Sequence, residues 1–393
     1  MKILYDYQAF YMQKFGGVSN SFVQLIKRLP KDVQYEIAVR ESENVHLRES
    51  SLKKTEPLGL VEENFISTTK FKGRGFLFRQ FSQMFPQRTS LGRNRLNSIE
   101  ILQRGDFDVF HPTFFDPYFL PYLNGKPFVL TVHDMIPELF WKKKRHDIQI
   151  RNKPFLCSMA SHIIAVSEKT KQDVIEMLNV AEDKITVVYH GVPEDIDTSG
   201  EMPIVTGRYI LYVGQRDQYK YFSEMLIALA PVFHRHNELK LVCSGKPFTK
   251  NEATLIGKLK MNDSILQLYP SDHDLMNLYA HAVCFIYPSI YEGFGIPILE
   301  AYKAECPVLL NHKSCFPEIA QDAAVYFHLD ENQQDLTDVM EKFLNMTDNE
   351  LKTMIKRQNK RLEYFSWDAS AKQLSEVYQR VLGRAKCSIK IAT

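Results

Sequence analysis

Through about residue 190, short runs such as MKILYDY, YEIAVR, FDVFHP, PFVLTVHD and SHIIAVS alternate with longer segments whose apolar positions recur at helical spacing. That alternation predicts βα units and a parallel sheet. At PEDIDTSGEMPIVTG, residues 193–207, Pro, Gly, Asp and Ser cluster and the apolar period lapses, which predicts a linker. The alternation restarts with RYILYVG, LKLVCSG, SILQLYP, AVCFIYPS, CPVLLN and AAVYFHL, separated by segments such as YFSEMLIALAPVFHRH. The fold class is α/β, with one Rossmann-like domain over residues 1–195 and a second over 206–365. Two facing domains of this kind are expected to leave a cleft. The stretch SWDASAKQLSEVYQRVL sets Ala371, Leu374, Tyr378 and Leu382 near one helical face, so residues 366–393 are expected to form a closing helix and tail that cross back to the first domain.

Composition narrows the function. A chain of 393 residues exceeds one ordinary hydrophobic core, in keeping with two domains. Hydrophobic residues make up 45% and charged residues 24%, the balance of a globular protein. Lys and Arg number 49 against 47 Asp and Glu, a net charge of +2 that gives no reason to expect nucleic acid. Cysteines 157, 243, 284, 306, 315 and 387 form no Cys-x-x-Cys pair and sit mostly in apolar runs, which suggests reduced, buried thiols and a cytoplasmic protein. The N-terminus reads as a first strand rather than a signal peptide, and no apolar run approaches the roughly 18 residues of a membrane span.

The most informative stretch is YPSIYEGFGIPILEAY, Tyr287 to Tyr302. It leaves a strand, turns at Gly293 and Gly295, and enters a helix with Pro297 near its first position, where a missing N–H costs nothing. Such a junction lies at the carboxyl edge of a parallel sheet, where open α/β folds bind ligands, and free amides at the helix start suit a pyrophosphate. Glu292 in the turn and Glu300 on the helix can each accept hydrogen bonds from paired hydroxyls, one from a sugar and one from a ribose. Composition alone equally allows a glycine turn with two surface acids. Arg216 and Lys220 follow the strand RYILYVG and either neutralise a diphosphate or stand as solvated cations. His133 and Asp134 end the strand PFVLTVH; Asp134 either orients His133 or caps the next turn. Gly16-Gly17 opens the helix-like VSNSFVQLIKRL, allowing close approach to a phosphate or simply a sharp βα turn.

EGFGIPILEA resembles the two-glutamate signature of the family-4 retaining glycosyltransferases of the GT-B fold, with its glutamates eight positions apart. VGQRDQYKYF resembles that family's Gly-x-Arg-x-x-Tyr-Lys-Asn loop, although Tyr221 stands where Asn is usual. AVSEKTKQDV, VVYHGV and SCFPEIAQDAAVYF match further segments in the family's order, and the match is weakest over residues 40–100. HDMIPELF and VYHGV look most like bacterial polysaccharide mannosyltransferases. The resemblance implies sugar transfer from a nucleotide-sugar, GDP-mannose ahead of a UDP-sugar, to a glycan or lipid-linked acceptor with retention at the anomeric carbon. His133, Glu292, Arg216 and Lys220 would be its catalytic group. Arg216 and Lys220 would hold the departing diphosphate; Glu292 and His133 would bind the sugar, Glu300 the ribose, and the amides of Phe294 and Gly295 the donor's polar edge. Gly17, with Gly16, would lie on the phosphate side, and Gly245-Lys246 and Tyr269-Pro270 near the base.

No cofactor is expected beyond the nucleotide-sugar. Asp106-x-Asp108 resembles a metal-binding pair, but it sits at a turn before a strand, and Asp195-x-Asp197 and Asp272-x-Asp274 show how cheaply the pattern arises. Metal-independent catalysis is expected. From Lys70 to Arg95 there are seven Lys or Arg, five Phe and no acid, and a second basic patch spans 142–153. These either contact the anionic inner membrane face or an acidic acceptor, or form helices with solvated cations. The rival functions are a GT-B sugar-nucleotide epimerase and a non-catalytic sugar-nucleotide-binding partner in polysaccharide assembly.

Overall fold

The computed structural model describes residues 1–65, 73–141, 147–193, 200–330 and 334–392, from 385 onward in backbone only. They form two compact units. The first comprises Met1–Val166, Lys171–Tyr189 and the chain from Trp367 onward; the second comprises Ser167–Thr170 and His190–Ser366.

In the first unit the strands are β1 (Lys2–Tyr5), β2 (Gln34–Ile37), β3 (Val109–His111), β4 (Val129–Val132), β5 (His162–Ala165) and β6 (Ile185–Val187). Two parallel ladders, β2-β1-β3 and β4-β5-β6, are joined by a parallel bridge between Phe110 and Phe128. β3, β4 and β5 are buried at every position, so their sequences run apolar without alternating, as strands covered on both faces must. Strand order reverses beside β1, and the loops after β1 and β3 leave from that point. β6 is absent from the runs read off the sequence: it has three residues, and a His and a Gly follow it closely.

The second unit carries β7 (Arg208–Val213), β8 (Leu239–Ser244), β9 (Ile265–Leu268), β10 (Cys284–Tyr287), β11 (Val308–Asn311) and β12 (Val325–Phe327) in one parallel sheet ordered β9-β8-β7-β10-β11-β12. This is the Rossmann order, with its reversal between β7 and β10. Apolar faces of the helices Phe222–Arg235 and Leu336–Leu344 meet the sheet through Leu226, Leu229, Phe233 and Met340. Of the segment read as a linker, 194–199 lies outside the described residues; farther on, the Asn277 side chain donates to Met202 O at 3.1 Å and accepts from Ile204 N at 3.1 Å. Among the described residues no helix is long and apolar enough to cross a membrane. Cys157, Cys243, Cys284, Cys306 and Cys315 are free thiols and buried.

The helix Trp367–Ala392 belongs to the first unit and buries Ala371, Leu374 and Tyr378. Tyr378 shares a hydrogen bond with Tyr5 at 2.8 Å and one with His111 Nδ1 at 2.6 Å, and His111 Nε2 meets Thr131 Oγ1 at 2.8 Å. Burial pushes His111 down to about 3, so the ring is neutral and its two nitrogens divide donor and acceptor roles along this chain. Tyr378→Phe leaves Tyr5 and His111 each short of a partner and should cost about 1–3 kcal/mol of stability in urea denaturation. An unchanged midpoint would show that the network contributes nothing net.

Candidate functional site

The reversal between β7 and β10 sets two loops side by side at the carboxyl edge of the second sheet. The loop after β7 begins at Gly214 (φ 122°) and closes with the short helical turn Gln218–Lys220. Gly245, after β8, has φ 138°, and a Cβ there would stand 2.9 Å from Gly214 O, so a glycine is required for the two loops to approach. Tyr221 takes a left-handed conformation, φ 51° and ψ 33°, which Asn tolerates far better than a bulky ring. The backbone therefore keeps the turn that the resemblance associates with Asn.

Lys220 Nζ donates to Glu292 Oε1 at 2.5 Å and lies over the rings of Tyr219 and Tyr287, 5.2 and 5.4 Å from their centroids. Only 12% and 10% of the Lys220 and Glu292 side chains are exposed, so each charge depends on the other. The backbone of Glu292 is clamped from the β11 loop. Its N–H donates to Ser314 Oγ at 3.0 Å, Ser314 Oγ donates to its carbonyl at 2.8 Å, and Cys315 Sγ donates to the same carbonyl at 3.3 Å. Gly293 O accepts from Ser167 Oγ at 2.6 Å and from Thr170 Oγ1 at 3.2 Å. Phe294 is buried and meets His190 and Phe365 edge-on, so its side chain serves the core, and its carbonyl accepts from Cys315 Sγ at 3.1 Å. Gly295, φ 93°, caps the helix Ile296–Lys303, with Pro297 in the first turn; a Cβ would meet Ile298 at 3.1 Å and Phe316 at 3.3 Å.

Glu300 accepts a hydrogen bond from Tyr279 at 3.2 Å. Burial raises its carboxyl from 4.5 to about 7, against the opposing pull of that hydrogen bond. Arg216 is already engaged. Its Nε donates to Glu252 Oε1 at 2.8 Å, its Nη2 to the carbonyls of Lys246 and Pro247, and its guanidinium lies beside the paired rings of Phe222 and Phe248, 5.5 and 4.9 Å from their centroids. Nη1 is buried and has no hydrogen-bond partner among the described residues. Burial pushes Glu252 up, but hydrogen bonds from Thr249 and Arg216 outweigh it and hold the carboxyl below its usual value. Toward the expected base region, Gly245 O accepts from Gln267 and Tyr269 is 79% exposed.

In the first unit, Gly16 is the extended N-cap of the helix Gly17–Lys27; Gln13 Oε1 accepts from Ser19 N at 3.0 Å, and a Cβ on Gly16 would collide with that Gln13 side chain. His133 meets Phe22 edge-on at 6.0 Å. Asp134 caps the turn that follows it, accepting from Ile136 N at 2.9 Å, while its carbonyl accepts from Lys153 Nζ. Lys153, wholly buried, also pairs with Glu138 at 2.9 Å. Asp106 and Asp108 both turn to Lys2, at 2.7 Å from its Nζ and 2.8 Å from its backbone N–H. Asp272 and Asp274 sit in the first turn of a helix capped by Ser271, and Asp195-x-Asp197 lies outside the described residues. Of the basic stretches, 70–72 and 142–146 also lie outside them; within the helix Arg74–Met84, Phe78 is buried while Phe76 and Met84 are more than half exposed.

Glu252, Ser314 and Lys153 were not among the residues singled out from the sequence. Glu252 carried a legible signal, since Thr249-x-x-Glu252 is a capping box, but nothing local points that carboxylate at Arg216.

Residues 15–196 match the family model described as Glycosyltransferase Family 4, and residues 201–361 match Glycosyl transferases group 1. The O-antigen chain mannosyltransferase RfbU of Salmonella typhimurium is 28% identical over 241 residues, 58% of this chain and 65% of that protein, so the match spans just under two thirds of that relative. The O-antigen chain mannosyltransferase B of Escherichia coli is 25% identical over 327 residues, 79% of this chain and 82% of its own length. Among solved structures, Anabaena Alr3699/HepE in complex with UDP and glucose superposes with a TM-score of 0.71 at 15% identity, covering 97% of this chain and 100% of that one. A glycosyltransferase from Rickettsia africae gives 0.66 at 19%, covering 97% and 98%.

Two stability predictions follow from these contacts. Glu252→Ala leaves the nearly buried Arg216 charge unanswered and should cost about 2–4 kcal/mol in urea denaturation, whereas replacing both residues by Leu and Met should recover most of it. A double variant as unstable as the sum of the single changes would contradict the pairing. Glu300 binds its proton more tightly in the folded than in the unfolded chain, so between pH 4.5 and about 7 folding loses stability as pH rises, and the penalty is complete above 7. Glu300→Gln, with no charge to bury, should gain about 1–3 kcal/mol over the parent at pH 8 and little at pH 4.5. The same melting difference at both pH values would contradict the burial of this carboxyl.

Proposed function

We propose that this chain, which belongs to the family-4 glycosyltransferases of the GT-B fold, moves mannose from GDP-mannose to a glycan or lipid-linked acceptor in surface polysaccharide assembly, with retention and without a bound metal ion. The observation that carries the proposal is the Lys220–Glu292 pair at the strand-order reversal, beside a helix that bears Glu300. The mannosyltransferase relatives support the choice of sugar.

In the proposed reaction the donor's anomeric C–O bond breaks, and the leaving diphosphate keeps the electron pair. The acceptor oxygen bonds to the same face and gives its proton to the departing diphosphate. Lys220 turns from Glu292 to that diphosphate as negative charge grows on it, joined by Arg216. Glu292, released, accepts hydrogen bonds from sugar hydroxyls and offsets the positive charge developing on the ring. Glu300 in its charged form accepts from the ribose hydroxyls, and the amides of Phe294 and Gly295 face the donor's polar edge. His133, assigned a sugar hydroxyl by the resemblance, is tested by His133→Ala, which should slow transfer while nucleotide binding persists. The exposed Phe76, Leu77 and Met84 beside Arg79 support peripheral contact with an anionic membrane face.

Thermal melting with GDP, UDP and their sugars, followed by mass spectrometry of the product from a lipid-linked or simple mannoside acceptor, tests the proposal. GDP at about one hundred times its dissociation constant should add roughly 2.7 kcal/mol of stability. Glu292→Ala should lower transfer about 100- to 1,000-fold with the fold intact. Chelator should leave the rate unchanged. Protection by neither nucleotide, full transfer by Glu292→Ala, or release of an isomerised free sugar without acceptor would each overturn the assignment.

A further inference from the structure

A transferase needs a place for its second substrate, and the first unit holds a cavity of about 560 Å³, within the size range of small-molecule sites. Its walls come from the helices Arg74–Met84 and Ser90–Arg104, the helix Ile148–Met159, and the loop that leaves β3. That loop places the cavity at the carboxyl edge of the sheet, beside the reversal at β1. The loop is fixed from the β1 side: Gln8 accepts from Asp116 N at 2.8 Å and donates to Asp116 O at 3.2 Å, while Gln8 is itself held by the buried Asp6. Asn152, 7% exposed, donates to Phe115 O at 3.0 Å and so pins the third helix to the same loop. At Gly92 a Cβ would stand 2.3 Å from Pro86 O, so the second helix packs against the turn Pro86–Arg88, which joins it to the first, only through a glycine. The cavity is a built feature, tied on every side.

Its chemistry is two-sided. The charged residues lining it are Arg79, Arg95 and Arg151 against one acid, Asp116, which Arg95 approaches at 3.8 Å and which also accepts from Tyr118 N. Arg79 donates to the Gly75 carbonyl and Arg151 to Asn152, and among the described residues neither guanidinium is paired with a carboxylate. Leu96, Ile99 and Ile148 form an apolar lining. Ser82, also on the wall and 5% exposed, has a hydroxyl with no hydrogen-bond partner among the described residues. Arginines beside an aliphatic lining suit a phosphate or diphosphate ester of an apolar alcohol: the anion meets the guanidinium groups and the first carbons of the chain enter the cavity.

We propose that this cavity binds the phosphate-bearing, apolar end of the acceptor. The proposal rests on the transferase reading and narrows its acceptor to an anionic amphiphile. Described residues of both basic stretches line it, Arg79 and Arg95 from the one and Arg151 from the other.

Isothermal titration of the full chain with farnesyl diphosphate below its micellar concentration, with inorganic diphosphate and with farnesol separates the possibilities. Farnesyl diphosphate should bind at least about tenfold more tightly than either half alone, and an Arg79→Gln/Arg151→Gln variant should weaken it by on the order of tenfold or more. GDP protection, measured on the same variant, should be unchanged, which shows the fold is intact. Inorganic diphosphate binding as tightly as the ester would reduce the cavity to a simple anion site and overturn the amphiphile. Equal affinity of variant and parent would overturn the site, as would binding to anionic vesicles without binding to the soluble ester. Absence of GDP protection in the parent would overturn the transferase reading alone, because ester binding is read independently of it.

Discussion

A parallel sheet wound outward from its middle must reverse its strand order once, and at that point the two loops leaving adjacent strands part in opposite directions. In the second unit the constraint falls between β7 and β10, and it is why Lys220 and Glu292, 72 positions apart in sequence, share a hydrogen bond. The glycines at 214, 245 and 295 answer the same constraint. Each has a positive φ at the carboxyl edge, where chain must turn sharply or pass close to other chain. Ser314 and Cys315, from the loop after β11, then hold the Glu292 turn by its carbonyl, so the carboxylate is placed by backbone rather than by its own flexible stem.

Pairing two charges that are nearly out of water is costly unless each satisfies the other, and removing one partner strands the rest. The site uses this twice. Glu252 holds Arg216 through one nitrogen while the carbonyls of Lys246 and Pro247 hold another, so little side-chain freedom remains to be lost when a ligand binds. Lys220 and Glu292 hold each other in the same sense. On the proposed reading an incoming diphosphate exchanges one anion for another at Lys220 and leaves Glu292 available to hydroxyls, so neither charge is ever buried alone. Burial raises the Glu300 carboxyl to about 7 against the single hydrogen bond from Tyr279, whereas Glu252, with Thr249 and Arg216 donating to it, falls below its usual value.

Much of this was legible in the sequence because buried parallel strands advertise themselves: CFIY and VLLN are apolar at nearly every position. The two-glutamate turn and the Arg216–Lys220 loop were legible as motifs. Their partners were not, because a pairing such as Arg216 with Glu252 depends on strand order, which no local pattern encodes. The conformation of Tyr221 was not legible either: an aromatic residue occupies a left-handed turn that its side chain disfavours, held there by the flanking turn and helix. β6 escaped notice because three residues at a sheet edge carry too little periodicity to register.

Charge composition shows the sign of a partner but not its shape. From residues 70–95 alone, seven cations among phenylalanines are as consistent with a lipid surface as with a pocket. The fold separates these options within a single helix. Phe76, Leu77 and Met84 stand exposed on the helix Arg74–Met84, while Ser82 and Arg79 line the cavity with Arg95 and Arg151. A helix that presents apolar side chains outward and a cation to an enclosed space can meet both parts of one amphiphile, its surroundings and its head. The close contact at Gly92 that closes this space follows from backbone geometry rather than charge, which is why no count of arginines could have foreseen it.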